Sequence, residues 1–403
     1  MDRSRGARTA VVVGAGMAGL AAATALARRG WRVEIAELGA TGATSGWGLC
    51  LTGPALRALD DLGLADACLA EGYGMSVITQ VDVDGEPAAE VPLPRLIGAR
   101  RPAMVGIARP LLHRVLYAEA ERCGVVVRHG LTVTAVEPVG ARREGQEGAR
   151  RGGQDEDRDG VRREGQDGEL VRVRFSDGTV RQVALLVGAD GIRSTVRGLL
   201  GFESRVDYQG QMVWRALVPR PSWATGIHHF AGKPHAAGVV PVSDSGAYVF
   251  LTEHGAARNV LPRDELAPRL RELLATFPAR MREIGRSVSG ADAVVRRPVL
   301  TAYLDGPWNR GNAVVVGDAA HAPAPQLAGG AALAIEDGLL LAEELERHAS
   351  TAAGLAAFVT RRARRCRTLV DTSVAVVGLE REGHHHDTYP LIDACHRLMA
   401  EPA

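Results

Sequence analysis

Three glycines, Gly14, Gly16 and Gly19, and an aspartate set beside glycine, Asp318, are the residues of this chain best suited to holding a dinucleotide. Gly14 permits a tight turn, Gly16 lets backbone approach a pyrophosphate with no side chain between, and Gly19 lets a helix pack closely on a sheet. The unpaired N–H groups and positive dipole end of that helix then face the phosphates. Glu37 lies 18 residues past Gly19, where a carboxylate can accept hydrogen bonds from ribose hydroxyls. Far downstream, Gly317-Asp318-Ala319-Ala320-His321 follows the apolar run Ala313-Val314-Val315-Val316. The two stretches together read as one dinucleotide held from both ends of the chain.

The elements that must position these residues are legible around them. Thr9 to Val13 reads as a short buried strand, Met17 to Arg29 as an alanine-rich helix closed by Gly30, and Trp31 to Ala36 as a second strand. Ala184 to Val187 reads as another buried strand, running into Gly188-Ala189-Asp190-Gly191 and a short helix that begins near Ser194. The fold class is therefore α/β: a Rossmann-like nucleotide-binding domain assembled from residues 1–75, 101–205 and 292–370. A second domain, from 76–100 and 206–291, is expected to form a mostly antiparallel sheet. Its strands are marked by "MVWRALVP", "AAGVVPV" and "AYVFLT", each bounded by turn residues. Residues 371–403 form a C-terminal helical tail with no role assigned.

The glycine turn, the Asp190-Gly191 pair and the Gly317-Asp318 pair occur in the order that marks the group-A FAD-dependent monooxygenases, and the chain resembles that para-hydroxybenzoate hydroxylase-like family from Gly14 to Asp337. A further match is "GIARPLLHRVL", in which Arg109 opens a helix. The resemblance implies FAD as cofactor, NADPH or NADH as electron donor, and Arg109 beside the isoalloxazine. It implies Asp318 on a ribityl or ribose hydroxyl, Asp190 near the pyrophosphate, and Pro325 against the flavin's reactive carbon. The helix starting near Gly329 would aim its dipole at the pyrimidine edge, with Gly330 and Ala331 at its start. Ala18, Val133 and Gly317 complete the positions expected along the cofactor. The implied reaction is hydroxylation of a small aromatic or polyketide-like molecule by O2 through a flavin C4a-hydroperoxide, the organic chemistry being the cofactor's.

Two stretches depart from the family. Where it commonly carries a glycine, a glutamine and an asparagine, this chain reads Ala328-Gly329-Gly330-Ala331-Ala332. The loop after Glu37 has no arginine before Gly46, which leaves Trp47 as a candidate pocket wall. On the substrate side Arg215, mid-strand in "MVWRALV", invites a carboxylate, phenolate or enolate; a domain-closing salt bridge is the competing reading. His228, His229, His235 and Tyr248 are further candidates to polarise a substrate hydroxyl, each with a structural role as its alternative. The same fold supports epoxidation, Baeyer–Villiger insertion, N-hydroxylation or flavin-linked dehydrogenation, and a redox-sensing flavoprotein without turnover is the non-enzymatic alternative.

Composition narrows the rest. The chain has 403 residues with 48 basic and 47 acidic ones, a balance that favours neither nucleic acid nor an acidic membrane as partner. Cysteines 50, 68, 123, 366 and 395 show no CxxC spacing, which fits a reducing compartment and no zinc site. The start passes straight into the first strand, so no signal peptide is expected, and no apolar run has membrane-spanning length. A cytoplasmic monomer or homodimer follows, and residue usage is compatible with an enzyme of secondary metabolism. Residues 141–169 hold 16 charged residues and seven glycines in 29 and are expected to be a disordered insertion in a β-hairpin. Arg361 to Arg365 and His384-His385-His386 are expected to lie on solvated faces.

Overall fold

A computed structural model of the chain describes residues 8–40, 47–82, 84–138, 170–231, 235–254, 260–290 and 293–403; the expected insertion at 141–169 lies outside them. The β-branched run Thr9–Val13 forms the centre of a six-stranded sheet. It pairs in parallel with Leu185–Gly188 on one side and Arg32–Glu37 on the other, and Val126–His129 and Ala313–Val315 extend the parallel array. Asn309–Arg310 adds an antiparallel edge. Parallel strands are covered on both faces, and Val11, Val12, Leu185, Leu186 and Val314 are accordingly buried.

Two helices reach the carboxyl ends of these strands. Met17–Arg28 leaves the glycine turn, and Gly330–Arg347 leaves the loop after Asp318. They pack closely because a Cβ at Gly338 would lie only 2.4 Å from the Ala22 backbone nitrogen. The hairpin read from the sequence is present, with Val133–Pro138 paired antiparallel to Val171–Phe175.

An eight-stranded sheet forms the second layer, in the order His321–Ala322, Val294–Tyr303, Val206–Pro219, Gly246–His254, Ala236–Pro241, Ile227–Ala231, Val77–Val81, Pro87–Pro92. All its pairings are antiparallel except Ile227–Ala231 with Val77–Val81. Alternation along Val206–Pro219 sends Trp214, Ala216 and Val218 into a core shared with the helices Arg263–Ala275 and Ala279–Ser287. Val213, Arg215 and Leu217 take the opposite face. Val294–Tyr303, counted with the nucleotide-binding domain in the sequence reading, hydrogen-bonds into this sheet. The expected boundary at 370 falls inside one continuous helix, Thr351–Arg381. That helix packs against both the Gly330–Arg347 helix and the strand Val206–Pro219.

Two expected solvated faces hold only in part: Arg364, His384 and His386 are exposed, but other members of both runs are not. Arg362 is fully buried and Arg365 is 7% exposed, because that face of the Thr351–Arg381 helix meets Glu336 and Asp337. Arg362 donates to Asp337 at 2.8 Å and to Glu336 at 2.9 Å, and Arg365 donates to Glu336 at 2.9 Å. Their partners lie more than 20 residues away, so no local charge spacing reveals the network. In the histidine run, His384 and His386 are exposed but His385 is buried.

Candidate active site

The glycine turn has the geometry its sequence requires. Gly14 takes φ +101°, and a Cβ there would meet the Ala189 carbonyl at 2.5 Å; one at Gly19 would meet the Gly14 carbonyl at 1.9 Å. Gly16 differs, with nothing within 4 Å of the position its Cβ would take. It caps the Met17–Arg28 helix without a side-chain hydrogen bond, so the first N–H groups of that helix open onto free space. The Glu37 carboxylate stands at the mouth of the turn, held by the Ala15 and Gly39 amides at 2.6 Å each. His113 Nε2 bonds the Ala15 carbonyl at 2.9 Å, fixing the turn from the next helix.

The two ends of the chain meet here. A Cβ at Gly317 would lie 2.7 Å from that of Ala18, so the second motif packs directly on the first. Asp337 organises it: this fully buried carboxylate accepts from the Gly317 amide and from His321 Nε2, both at 2.7 Å, and from Arg362. Burial would raise the Asp337 carboxyl, but His321 and Arg362 outweigh it and hold it below the ordinary range. Burial likewise opposes a charge on His321, yet Cys366 and Asp337 raise it well above the usual imidazole value. His321 is thus a buried group of the scaffold, and His321, Asp337 and Cys366, whose ligand atoms lie within 4.8 Å of one another, form a polar cluster that Arg362 joins through Asp337. Asp318 is different in kind. Its side chain is exposed, and no hydrogen bond engages its carboxylate among the described residues. The protein around it pushes its pKa up, against the pull of His321 and Arg109.

Asp190 is turned inward. It accepts from the Ser194 hydroxyl and from the amides of Thr195 at 2.7 Å and Val196 at 3.0 Å, capping the helix Thr195–Leu199. The backbone at Asp190-Gly191, rather than this carboxylate, is left for a ligand. Val133 is completely buried in the core, its backbone included, on the strand that pairs with Val171–Phe175. Gly330 and Ala331 are half-buried at the start of the Gly330–Arg347 helix, which also lacks a side-chain cap. Pro325 opens a 3-10 turn ending at Ala328, whose φ of 48° makes it the one non-glycine residue of positive φ among those described. This is the position where the family carries glycine, so the sequence departure is met by a strained backbone.

Arg109 opens its helix with an exposed side chain, and its amide donates to the Trp47 carbonyl at 2.8 Å. Its charge acts on both Asp318 and Arg215, which places all three around one cleft between the layers. Trp47 bridges that cleft, its indole N–H donating to the Ala293 carbonyl at 2.7 Å. The layers touch where side chains are missing: a Cβ at Gly48 would lie 2.0 Å from the Tyr248 ring, and one at Gly106 would lie 1.9 Å from the Pro241 carbonyl.

Arg215 enters the cleft from the large sheet with Phe250 opposite it and Tyr248 on the diagonal. Among the described residues no hydrogen bond or ion pair satisfies its guanidinium, so the domain-closing salt bridge is not formed by them. Burial depresses its pKa, with Arg109 adding to this and Tyr248 opposing it. Burial also pushes the Tyr248 phenol up, keeping it a neutral hydroxyl. Val240, Tyr248, Phe250, Ile227, Ile78 and Ala328 cluster on this face. The roles of Asp337 and Arg362 were not legible in the sequence; Tyr248, a candidate there, lies on the face of Arg215.

This arrangement fits FAD. Gly16 leaves room for a pyrophosphate, two uncapped helix N-termini converge on the cleft, and Asp318 offers an accessible carboxylate to sugar hydroxyls. The family model described as FAD binding domain matches residues 8–373. YetM of Bacillus subtilis (strain 168), which carries an FAD-dependent monooxygenase name, is 27% identical over 97% of this chain and 98% of its own. The 3-amino-4-hydroxybenzoate 2-monooxygenase of Streptomyces cremeus is 30% identical over 81% of this chain and 75% of its own. Among solved structures, Klebsiella pneumoniae HpxO complexed with FAD and uric acid superposes with a TM-score of 0.78 at 24% identity, covering 98% of this chain and 93% of that one. The chain belongs to the group-A FAD-dependent monooxygenases. It is an oxidoreductase that binds FAD and uses NAD(P)H and O2 as co-substrates. No helix among the described residues is long and apolar enough to cross a membrane.

Proposed function

We propose that the enzyme hydroxylates a small aromatic molecule carrying an anionic group, and that Arg215 binds that group. The carrying observation is a largely buried guanidinium with no partner among the described residues, facing an apolar, aromatic-lined cleft. A buried cation without a counter-charge is costly, and a substrate carboxylate, phenolate or enolate would relieve that cost with charge-assisted hydrogen bonds. The relative acting on 3-amino-4-hydroxybenzoate and the neighbour holding uric acid both handle electron-rich rings of this kind.

FAD, when bound, supplies the acceptance of electrons from NAD(P)H and the activation of dioxygen. The chain's own residues do the rest. Gly16 and the amides of the Met17–Arg28 helix receive the pyrophosphate, and Glu37 and Asp318 receive sugar hydroxyls. The amides at Gly330 and Ala331, with the dipole of their helix, favour negative charge at the ring they face. Pro325 and Trp47 wall the reacting face and keep water from it. Arg215 orients the substrate ring, and the neutral Tyr248 hydroxyl can hydrogen-bond the same anionic group. Five free cysteines, four of them buried, support a reducing, cytoplasmic setting; the monomer or homodimer reading is checked by light scattering.

The test is a panel of hydroxybenzoates and matching hydroxybenzamides, followed by NADPH oxidation and by incorporation of labelled oxygen from O2. Acids should accelerate NADPH oxidation and yield labelled, ring-hydroxylated product. Equal stimulation by acids and amides, or stimulation by neither, would defeat the proposed substrate class.

A further inference from the structure

The large sheet carries a second polar group on the same face as Arg215. Arg215 pairs with Phe250, Phe250 with Gly238, and Gly238 with His229. Directly opposed residues in antiparallel strands share a face, so one row runs guanidinium, phenyl ring, bare backbone, imidazole. Adjacent strands lie about 4.8 Å apart, which puts the backbones of Arg215 and His229 roughly 14 Å apart. Phe250 lies flat over the gap: a Cβ on Gly238 would meet its ring at 2.4 Å. The His229 ring sits beside Phe250 at 6.3 Å between centroids.

We propose that His229 is a second anchor of the substrate site, taking a hydrogen bond from a hydroxyl or N–H at the far end of an elongated, two-ring aromatic anion whose near end sits on Arg215. Among the described residues His229 makes no hydrogen bond and no ion pair, and the residue is half-buried, so it has capacity left for a ligand. Enclosure in the site, with His385 nearby, lowers its pKa to about 4, so at neutral pH one ring nitrogen is an acceptor. Phe250 supplies the surface on which the rings between the two anchors would stack. A single benzoate ring is far too short to reach both groups; two linked rings match the span. This inference rests on the reading of Arg215 as the anion site, and it adds a length and a distal donor to the substrate class.

The experiment measures Kd by titration calorimetry on the FAD-loaded enzyme with two probes. One is biphenyl-4-carboxylate; the other is its analogue with a hydroxyl para on the distal ring. The wild type is expected to prefer the hydroxylated acid by roughly threefold to tenfold, the value of one neutral hydrogen bond. In His229→Leu that preference should fall to near one while the unsubstituted acid binds as before, and His229→Asn, which keeps an acceptor, should recover part of it. An unchanged preference in His229→Leu overturns the proposal, as does a wild type that binds neither acid or does not discriminate. Arg215→Met separates the two readings. If it leaves both Kd values unchanged, the anion site is refuted; if it weakens both acids alike, the anion site stands and the ratio alone judges His229.

Discussion

Replacing Arg362 with methionine tests whether the ion network beneath the Gly317-Asp318 motif supports the cofactor site. Arg362 is fully buried and donates to Asp337, Glu336 and the Leu333 carbonyl. Removing one member of a buried ion network leaves charge uncompensated and costs about 3–5 kcal/mol. The lower figure applies, because Glu336 keeps Arg365 and Asp337 keeps His321 and the Gly317 amide. A chain of 403 residues has an unfolding entropy of about 0.8 kcal/mol/K at its midpoint, so a loss of about 3 kcal/mol lowers Tm by about 4 °C. Because Arg362 also fixes the orientation of the Asp337 carboxylate that receives the Gly317 amide, FAD should bind at least about tenfold more weakly, the equivalent of about 1.4 kcal/mol. Differential scanning fluorimetry with and without FAD, and flavin fluorescence titration, measure both. Arg364→Met, an exposed neighbour on the same helix, should shift stability by no more than about 0.5 kcal/mol. Equal behaviour of the two variants would refute the reasoning.

Other predictions concern the turn, the strained loop and acid stability. Gly16→Ala should fold normally but lose FAD, because its Cβ meets only open space where the pyrophosphate belongs, whereas Gly19→Ala should lose stability as well, since its Cβ would strike the Gly14 carbonyl; Tm and bound flavin, measured together, distinguish the two. Ala328→Gly relieves a positive φ and should raise stability by a few tenths to about 1 kcal/mol, with a drop in Tm as the contrary result. His229 and His254 are both lowered to about 4 by burial, with neighbouring histidines adding to it. The unfolded chain, with histidine near about 6.5, binds these protons first, so their contribution is complete above about pH 6.5 and is lost as pH falls through about 4. Urea midpoints across that window should fall with pH, and His254→Gln should flatten the slope; an unaltered slope would contradict the assignment.

What could be read from the sequence was whatever is encoded locally. The strand–glycine turn–helix unit at Thr9 to Gly30 is visible because glycine placement, β-branched runs and helix length are short-range signals. The strand carrying Arg215 was findable for the same reason. Asp337, Arg362 and the buried His385 were not, because their meaning depends on contacts between segments far apart in the chain. A basic run on an alanine-rich helix looks the same whether it faces water or, as here, two buried carboxylates. Asp190 shows a subtler limit: the motif locates the residue but does not say that its carboxylate caps a helix while its backbone is left for the ligand. The expected domain range beginning at residue 292 includes Val294–Tyr303, which hydrogen-bonds into the large sheet, because strand pairing between distant segments leaves no local mark on composition.

The most direct test of the account compares kcat/KM of the wild type, Arg215→Met and Arg215→Lys for 3-amino-4-hydroxybenzoate and for its carboxamide. Loss of a charge-assisted hydrogen bond of about 1.5–3 kcal/mol should lower kcat/KM for the acid by roughly tenfold to a hundredfold in Arg215→Met. The carboxamide should be little affected, and Arg215→Lys should recover part of the activity. If acid and amide lose equally, or if the acid is turned over unimpaired, Arg215 does not select an anionic substrate and the proposed substrate class fails.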